Sequence, residues 1–287
     1  KALVKGTDAF SECVVDVVTK EQEKPAEPTI SNGDEITVKN QSGEKITDTP
    51  YNIICQITQG EVGGGFSVEA IKAQAVAAYT YIMYNTNKGV VPSVVMAESV
   101  TSKIKNAVSD VIGQAVYYNG KYINAVYHSA SSGYTTSADK VWGGGVPYHV
   151  PVESTGDEKC KYYGYEKTFS EKDIARRIED YFDIDPYDYG EAENWFEDIK
   201  TDSGGYVDSI KVCGNKITGR KFREGLMNFS ICSHAFEVDY SGGSFIITTY
   251  GYGHGVGMSQ YGAQHLASEG YTYDEILKHY YTGVTVK

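Results

Sequence analysis

Gly251-Tyr252-Gly253-His254-Gly255-Val256-Gly257 sets a glycine at every second position, the tightest constraint on the fold of this 287-residue chain. Glycine gives up a side chain and costs chain entropy, so four in alternation imply backbone brought close to a ligand or to another chain segment. The run follows Ser244–Tyr250, which reads as strand, and leads into Met258-Ser259-Gln260-Tyr261-Gly262. It is not a dinucleotide-binding G-x-G-x-x-G, because Val256, Met258 and Gln260 hold the three possible final positions.

The length allows one large domain or two small ones, and 41% hydrophobic residues exclude disorder of the whole chain. No run of about 18 apolar residues is present to span a membrane. The chain opens at Lys1 without Met, compatible with an N-terminal anchor or signal having been removed. Residues 1–48 read as a tether or peripheral layer, with an extended linker at 21–28 and a short strand at Glu35–Lys39. Residues 49–287 read as the main domain.

Ile53–Thr58 is apolar and compatible with strand or helix. It runs into Gln59-Gly60-Glu61-Val62-Gly63-Gly64-Gly65-Phe66, after which a helix starts. Ser67 is its expected N-cap, Glu69 lies in the first turn, and Phe66 and Ile71 have staple spacing. Val68, Ile71, Ala75, Ala78 and Ile82 recur at three and four, predicting one buried face. Residues 93–126 read as short strands. They include a hairpin with an Asn119-Gly120 turn that leads to Tyr127-His128-Ser129-Ala130-Ser131-Ser132-Gly133. Helices are expected at 169–182, at 260–268 ending near Gly270, and from Thr272 with a Glu275 capping box. Segment 183–204 reads as acidic and irregular. Strands are expected at 206–213, 215–218, 235–240 and 244–250. There is no βαβ alternation, so the fold class is α+β: short antiparallel strands with segregated helices and a glycine-rich groove.

The net charge of −12 argues against nucleic-acid binding and leaves a neutral glycan open. Tyrosine is abundant, 25 residues, as a strand former or as rings that stack on sugars. Five cysteines, an odd number, make a disulfide framework improbable, although Cys213 and Cys232 can pair if neighbouring strands align them. Nucleophile-elbow, zincin and phosphate-loop signatures are absent. His128 and His254 read as histidines bonded to backbone or as metal ligands, without zinc spacing. Glu61 is either a solvated loop carboxylate, which spacing alone favours, or an acid raised by apolar neighbours. A nearby helix N-terminus would push its pKa down.

Four stretches together resemble the stage II sporulation protein D family: Glu61 with Glu69–Ala78, Tyr127–Tyr134 continuing to Val141–Gly144, Gly253–Ala263, and Ile276–Gly283. They occur in family order across about 50–287. The resemblance implies a peptidoglycan lytic transglycosylase of the cell envelope, acting during sporulation and engulfment on glycan strands stripped of stem peptides. An amidase would be its partner, and a membrane would be reached only through a missing N-terminal anchor. The family acid falls on Glu61. Lys72, Gln74, Tyr79, His128, Ser129, Ser131, Ser132, Trp142, His254, Met258, Ser259 and Gln260 are the implied substrate-binding residues.

Such an enzyme uses one carboxyl as acid and then base, whereas ordinary glycosidases use a pair. The chain departs from the family at Tyr79, where relatives carry Arg facing the site. It also departs after His128, where Tyr134, Asp139 and Lys140 replace the zinc ligands of some members, so no metal or other cofactor is expected. Gly63-Gly64-Gly65 replaces Met-Pro beside Glu61, which loosens that loop. The alternative implied by the resemblance is a non-catalytic, wall-binding amidase-enhancer module.

Overall fold

The computed structural model describes residues 35–287, so the linker at 21–28 and Cys13 lie outside the described residues. β1 (Ile36–Lys39) and β2 (Lys45–Asp48) form an antiparallel hairpin. Ile36 and Val38 are buried in the first of two main cores, and Lys39 bonds through its backbone to Pro92 and Val94.

Ile53–Thr58 belongs to a helix, α1 (Pro50–Glu61). Pro50 pre-sets φ in its first turn, the Thr49 side chain accepts from the Asn52 N–H, and Ile53, Ile54 and Ile57 face inward. α2 (Val68–Thr86) starts where expected, but Ser67 makes no side-chain cap bond. Its N–H donates to Gln264 Oε1 at 2.6 Å, and its hydroxyl accepts from Gln264 Nε2 at 2.9 Å. Eleven of its residues are buried rather than one stripe, which makes α2 the central rod of the first core. The run of alanines lets its neighbours approach closely.

α3 (Ser102–Val111) corrects the expectation of strands through 93–126. Ile104, Ala107, Val108 and Val111 bury one helical stripe and Thr101 caps it, so helical period outweighs the β-branched composition. β3 (Val116–Tyr118) and β4 (Lys121–Tyr122) form the hairpin, with φ of 50° and 72° at Asn119 and Gly120. β5 (Tyr127–His128) and α4 (Ala138–Trp142) follow.

The second core is aromatic, with Trp195, Phe222, Phe236 and Phe245 buried together. It is built from β6 (Tyr165–Ser170), α5 (Glu171–Phe182), β7 (Phe196–Thr201), β8 (Val207–Val212), β9 (Asn215–Ile217), α6 (Gly219–Lys221), β10 (Phe236–Ser241) and β11 (Ser244–Thr249). Two antiparallel sheets run β10-β11-β6 and β7-β8-β9. Segment 183–204 is therefore not irregular throughout: it holds β7 and the fully buried Trp195.

The chain then returns to the first core. β12 (Met258–Ser259) pairs in parallel with β5, followed by α7 (Gln260–Ser268), α8 (Tyr273–Tyr280) and β13 (Thr285–Val286) against β3. Thr272 and Glu275 make both bonds of the expected capping box. The architecture is mixed α+β. Cys55, Cys160, Cys213 and Cys232 are free thiols, so the 213–232 pair is not formed.

Candidate active site

The alternating glycines meet protein. Gly251, Gly253, Gly255 and Gly257 all have positive φ, between 73° and 119°. A Cβ would lie 2.4 Å from the Ala130 carbonyl oxygen at Gly251, 2.8 Å from His128 Cβ at Gly253, 2.4 Å from the Tyr206 ring at Gly255, and 2.2 Å from the Val126 carbonyl oxygen at Gly257. Side chains there would both strain the backbone and hold the run away from residues 126–131 and, at Gly255, from Tyr206. The contact places Met258 opposite Tyr127 and Ser259 opposite His128.

This join forms one wall of a cleft of about 350 Å³, lined by Glu61, Tyr81, Tyr127 and His254 with Gln41 and residues 93–95. Glu61 is the last residue of α1 and not a loop residue before α2. It therefore stands at the carbonyl end of a helix, where the dipole disfavours an anion, which reverses the downward push expected from sequence. Burial raises its pKa above the usual carboxylate range, while a hydrogen bond from Gln260 opposes the rise. Gln260 Nε2 donates to Glu61 Oε2 at 3.0 Å and reaches Gln74 Oε1 at 3.4 Å. Both glutamines thus sit behind the acid. Burial also holds the Tyr127 phenol well above its ordinary pKa, with Glu61 and Tyr81 adding to the effect.

His254 borders the cleft, with Trp142 at 5.1 Å and His128 at 5.6 Å between ring centroids. Trp142 is 39% exposed, whereas His128 is buried. The remaining candidates are placed elsewhere. Met258, Ser131 and Ser259 are fully buried. The carbonyl of Ser129 accepts from the Tyr261 N–H, and the Ser132 hydroxyl donates to the Gly204 carbonyl. Lys72 pairs with Glu69 and Asp110 at 3.2 and 3.0 Å. Tyr79, expected to face the site where relatives carry Arg, is buried and lines a separate cavity of about 690 Å³ with Ile36, Pro50 and Met83.

Sequence reading missed Asp157, a fully buried carboxylate. It accepts from the N–H and hydroxyl of Ser131 and from the Ser259 hydroxyl. Ser259 Oγ also caps α7, accepting from the Gly262 N–H at 3.2 Å. Asp157 thereby anchors the helix start that carries Gln260 to Glu61. Among the described residues no group of three His, Cys, Asp or Glu side chains is placed to hold a metal ion.

These features define a mixed α+β protein whose cleft is organised around one partly buried glutamate. A family model described as stage II sporulation protein (SpoIID) matches residues 51–138. Stage II sporulation protein D of Bacillus amyloliquefaciens is 31% identical over 93% of this chain and 83% of its own length. Its namesake in Bacillus subtilis (strain 168) is 30% identical over 94% and 84%. A B. subtilis protein named amidase enhancer is 27% identical over 80% of this chain and 39% of its own length. The chain belongs to the stage II sporulation protein D family.

Proposed function

We propose that this protein is a lytic transglycosylase that cleaves peptidoglycan glycan strands, stripped of stem peptides, between MurNAc and GlcNAc. The observation that carries the reading is Glu61, raised in pKa by burial and the one carboxylate among the described residues lining the cleft. A single carboxyl suffices when the nucleophile is internal. Protonated Glu61 gives its proton to the glycosidic oxygen as the bond to the muramyl C1 breaks. The resulting carboxylate then takes the proton from the muramyl C6 hydroxyl, whose oxygen bonds to C1 and closes a 1,6-anhydro ring. No water is consumed, and the acid is regenerated. Tyr81, Tyr127, His254 and Trp142 supply rings and donors suited to sugar faces and hydroxyls. The reading asks for no cofactor. It places the protein in the cell envelope during sporulation, with an amidase producing the stripped strands.

Mass spectrometry of products from amidase-stripped peptidoglycan tests it. Wild type should release anhydro-muramyl ends, and Glu61→Gln should release none while keeping its circular dichroism spectrum. Anhydro product from Glu61→Gln overturns the assignment of the acid. The likeness to a protein named amidase enhancer favours a second reading, a wall-binding module that stimulates an amidase. It requires amidase stimulation that survives Glu61→Gln.

A further inference from the structure

The chain has four arginines, at 176, 177, 220 and 223. Arg176, Arg177 and Arg220 each pair with a carboxylate, at 2.7, 3.0 and 2.9 Å. Arg223 is 9% exposed and forms no ion pair among the described residues, and its Nε is buried without a hydrogen-bond partner. Its terminal nitrogens are likewise unbonded but not enclosed. Glu224 beside it is taken by Arg220. An arginine stays charged at neutral pH, and a buried charge without a partner is costly, so the position calls for an anion from outside. Arg223 sits in a π-helical turn, Phe222–Leu226, that continues α6. The chain folds back through Asn228 and Phe229, both left-handed at φ of 45° and 55°, a conformation that a bulky residue rarely holds. The turn sets the Phe229 ring, 60% exposed, 5.2 Å over the guanidinium. The following residues join the cleft wall: the Gly253 N–H donates to the Cys232 carbonyl at 3.1 Å, and Ser233 bridges to Gly253. Arg223 therefore lies beyond Tyr252 and His254, close enough for its charge to act on both. Arg220, one turn earlier, donates to the Val141 carbonyl next to Trp142.

We propose that Arg223 is a specificity-determining binding residue that takes the free lactyl carboxylate of a peptide-stripped muramyl residue, at a subsite flanked by Phe229 and Tyr252 beyond His254. The proposal rests on the reading of the cleft as a glycan site, but its readout is a binding preference, independent of cleavage. An amidase hydrolyses the lactyl–peptide amide with one water, leaving a carboxylate on the sugar and an ammonium on the departing peptide. Stripping therefore turns a neutral amide into an anion on each muramyl residue it reaches. The guanidinium fork matches a carboxylate with two parallel hydrogen bonds. An amide at the same place offers one neutral acceptor, and its N–H opposes the donors. Phe229 and Tyr252, the latter 42% exposed, give ring faces to the sugar carbons. With a net charge of −12 the chain does not draw anions from a distance, so the discrimination is made in contact.

Titration calorimetry at neutral pH tests it, in the Glu61→Gln background, which prevents turnover. The probes are a peptide-free glycan fragment with free lactyl carboxylates and the same fragment with those carboxylates converted to methylamides. The carboxylate form should bind about tenfold more tightly or better, the range of a hydrogen bond to a charged group. Arg223→Met should abolish the difference and leave the methylamide form bound as before. Arg223→Lys, which keeps the charge without the fork, should retain only part of it. Equal binding of the two forms, binding of neither, or a preference that survives in folded Arg223→Met overturns the proposal. If Arg223→Met does not fold, Arg223→Lys decides, and an undiminished preference there overturns it. Anhydro product absent from wild type, with the carboxylate preference intact, would count against the cleavage reading alone.

Discussion

Glu61 experiences two opposed influences, and their balance is adjustable by one neighbour. Burial and the carbonyl end of α1 favour the protonated acid, while the Gln260 amide favours the carboxylate. Gln260→Leu removes the donor and retains the burial, so the Glu61 pKa should rise further. Under the proposed cleavage, in which a protonated Glu61 serves the leaving oxygen, the alkaline limb of the kcat/KM profile should move to higher pH. The limb staying in place, with cleavage intact, would mean that Glu61 does not set it. This sensitivity was not legible in sequence. Glu61 and Gln260 lie far apart along the chain, and a glutamate before three glycines reads as a loop residue. Whether α1 reaches Glu61 depends on tertiary packing of Ile53, Ile54 and Ile57.

At the scale of elements, the glycine run is the hinge between sequence and site. Its strand is two residues long, so the β5–β12 join depends on backbone proximity more than on the ladder. Gly257→Ala puts a methyl 2.2 Å from the Val126 carbonyl oxygen at a φ of +73°. The combined clash and strain should cost more than about 3 kcal/mol and displace His254 and Gln260. Gly120→Ala, at a φ of +72° but with open space around it, should cost only about 1 kcal/mol. Urea unfolding of the two variants measures the contrast. Equal losses would mean that proximity to residues 126–131 is not what the glycines serve. The need for close approach was legible in the alternation itself. Its target was not, because spacing along one segment carries no information about which segment comes to meet it.

At the scale of the whole molecule, several histidines are committed to the neutral form. Burial lowers His128 and His149 to about 4 and His234 to about 3. Their unfolded value is about 6.5. The unfolded chain therefore binds more protons below that value, and stability falls as pH drops through 6.5 toward 4, each histidine contributing up to about 3 kcal/mol. Thermal unfolding followed from pH 7 to 4 should show a falling Tm, and His149→Gln should flatten part of that slope. His149 is suited to this test because both of its ring nitrogens are buried without partners. A Tm unchanged down to pH 4 would contradict the buried, neutral assignment. The sequence reading of His128 as backbone-bonded or a metal ligand could not anticipate the effect, since burial of a histidine depends on what packs over it.

Local signals in the sequence determined the elements whose causes are local. The capping box at Thr272 and the Asn-Gly hairpin turn follow from backbone preferences and short-range hydrogen bonds. The family, too, was written in four ordered stretches of residues. Tertiary structure alone decided that Tyr79 turns toward a different cavity and that Asp157 ties two distant serines together. It also set Glu61 against Gln260, 199 residues apart along the chain. Those outcomes come from long-range burial and close approach, which depend on which segments meet and are not encoded in the period or propensity of any one of them.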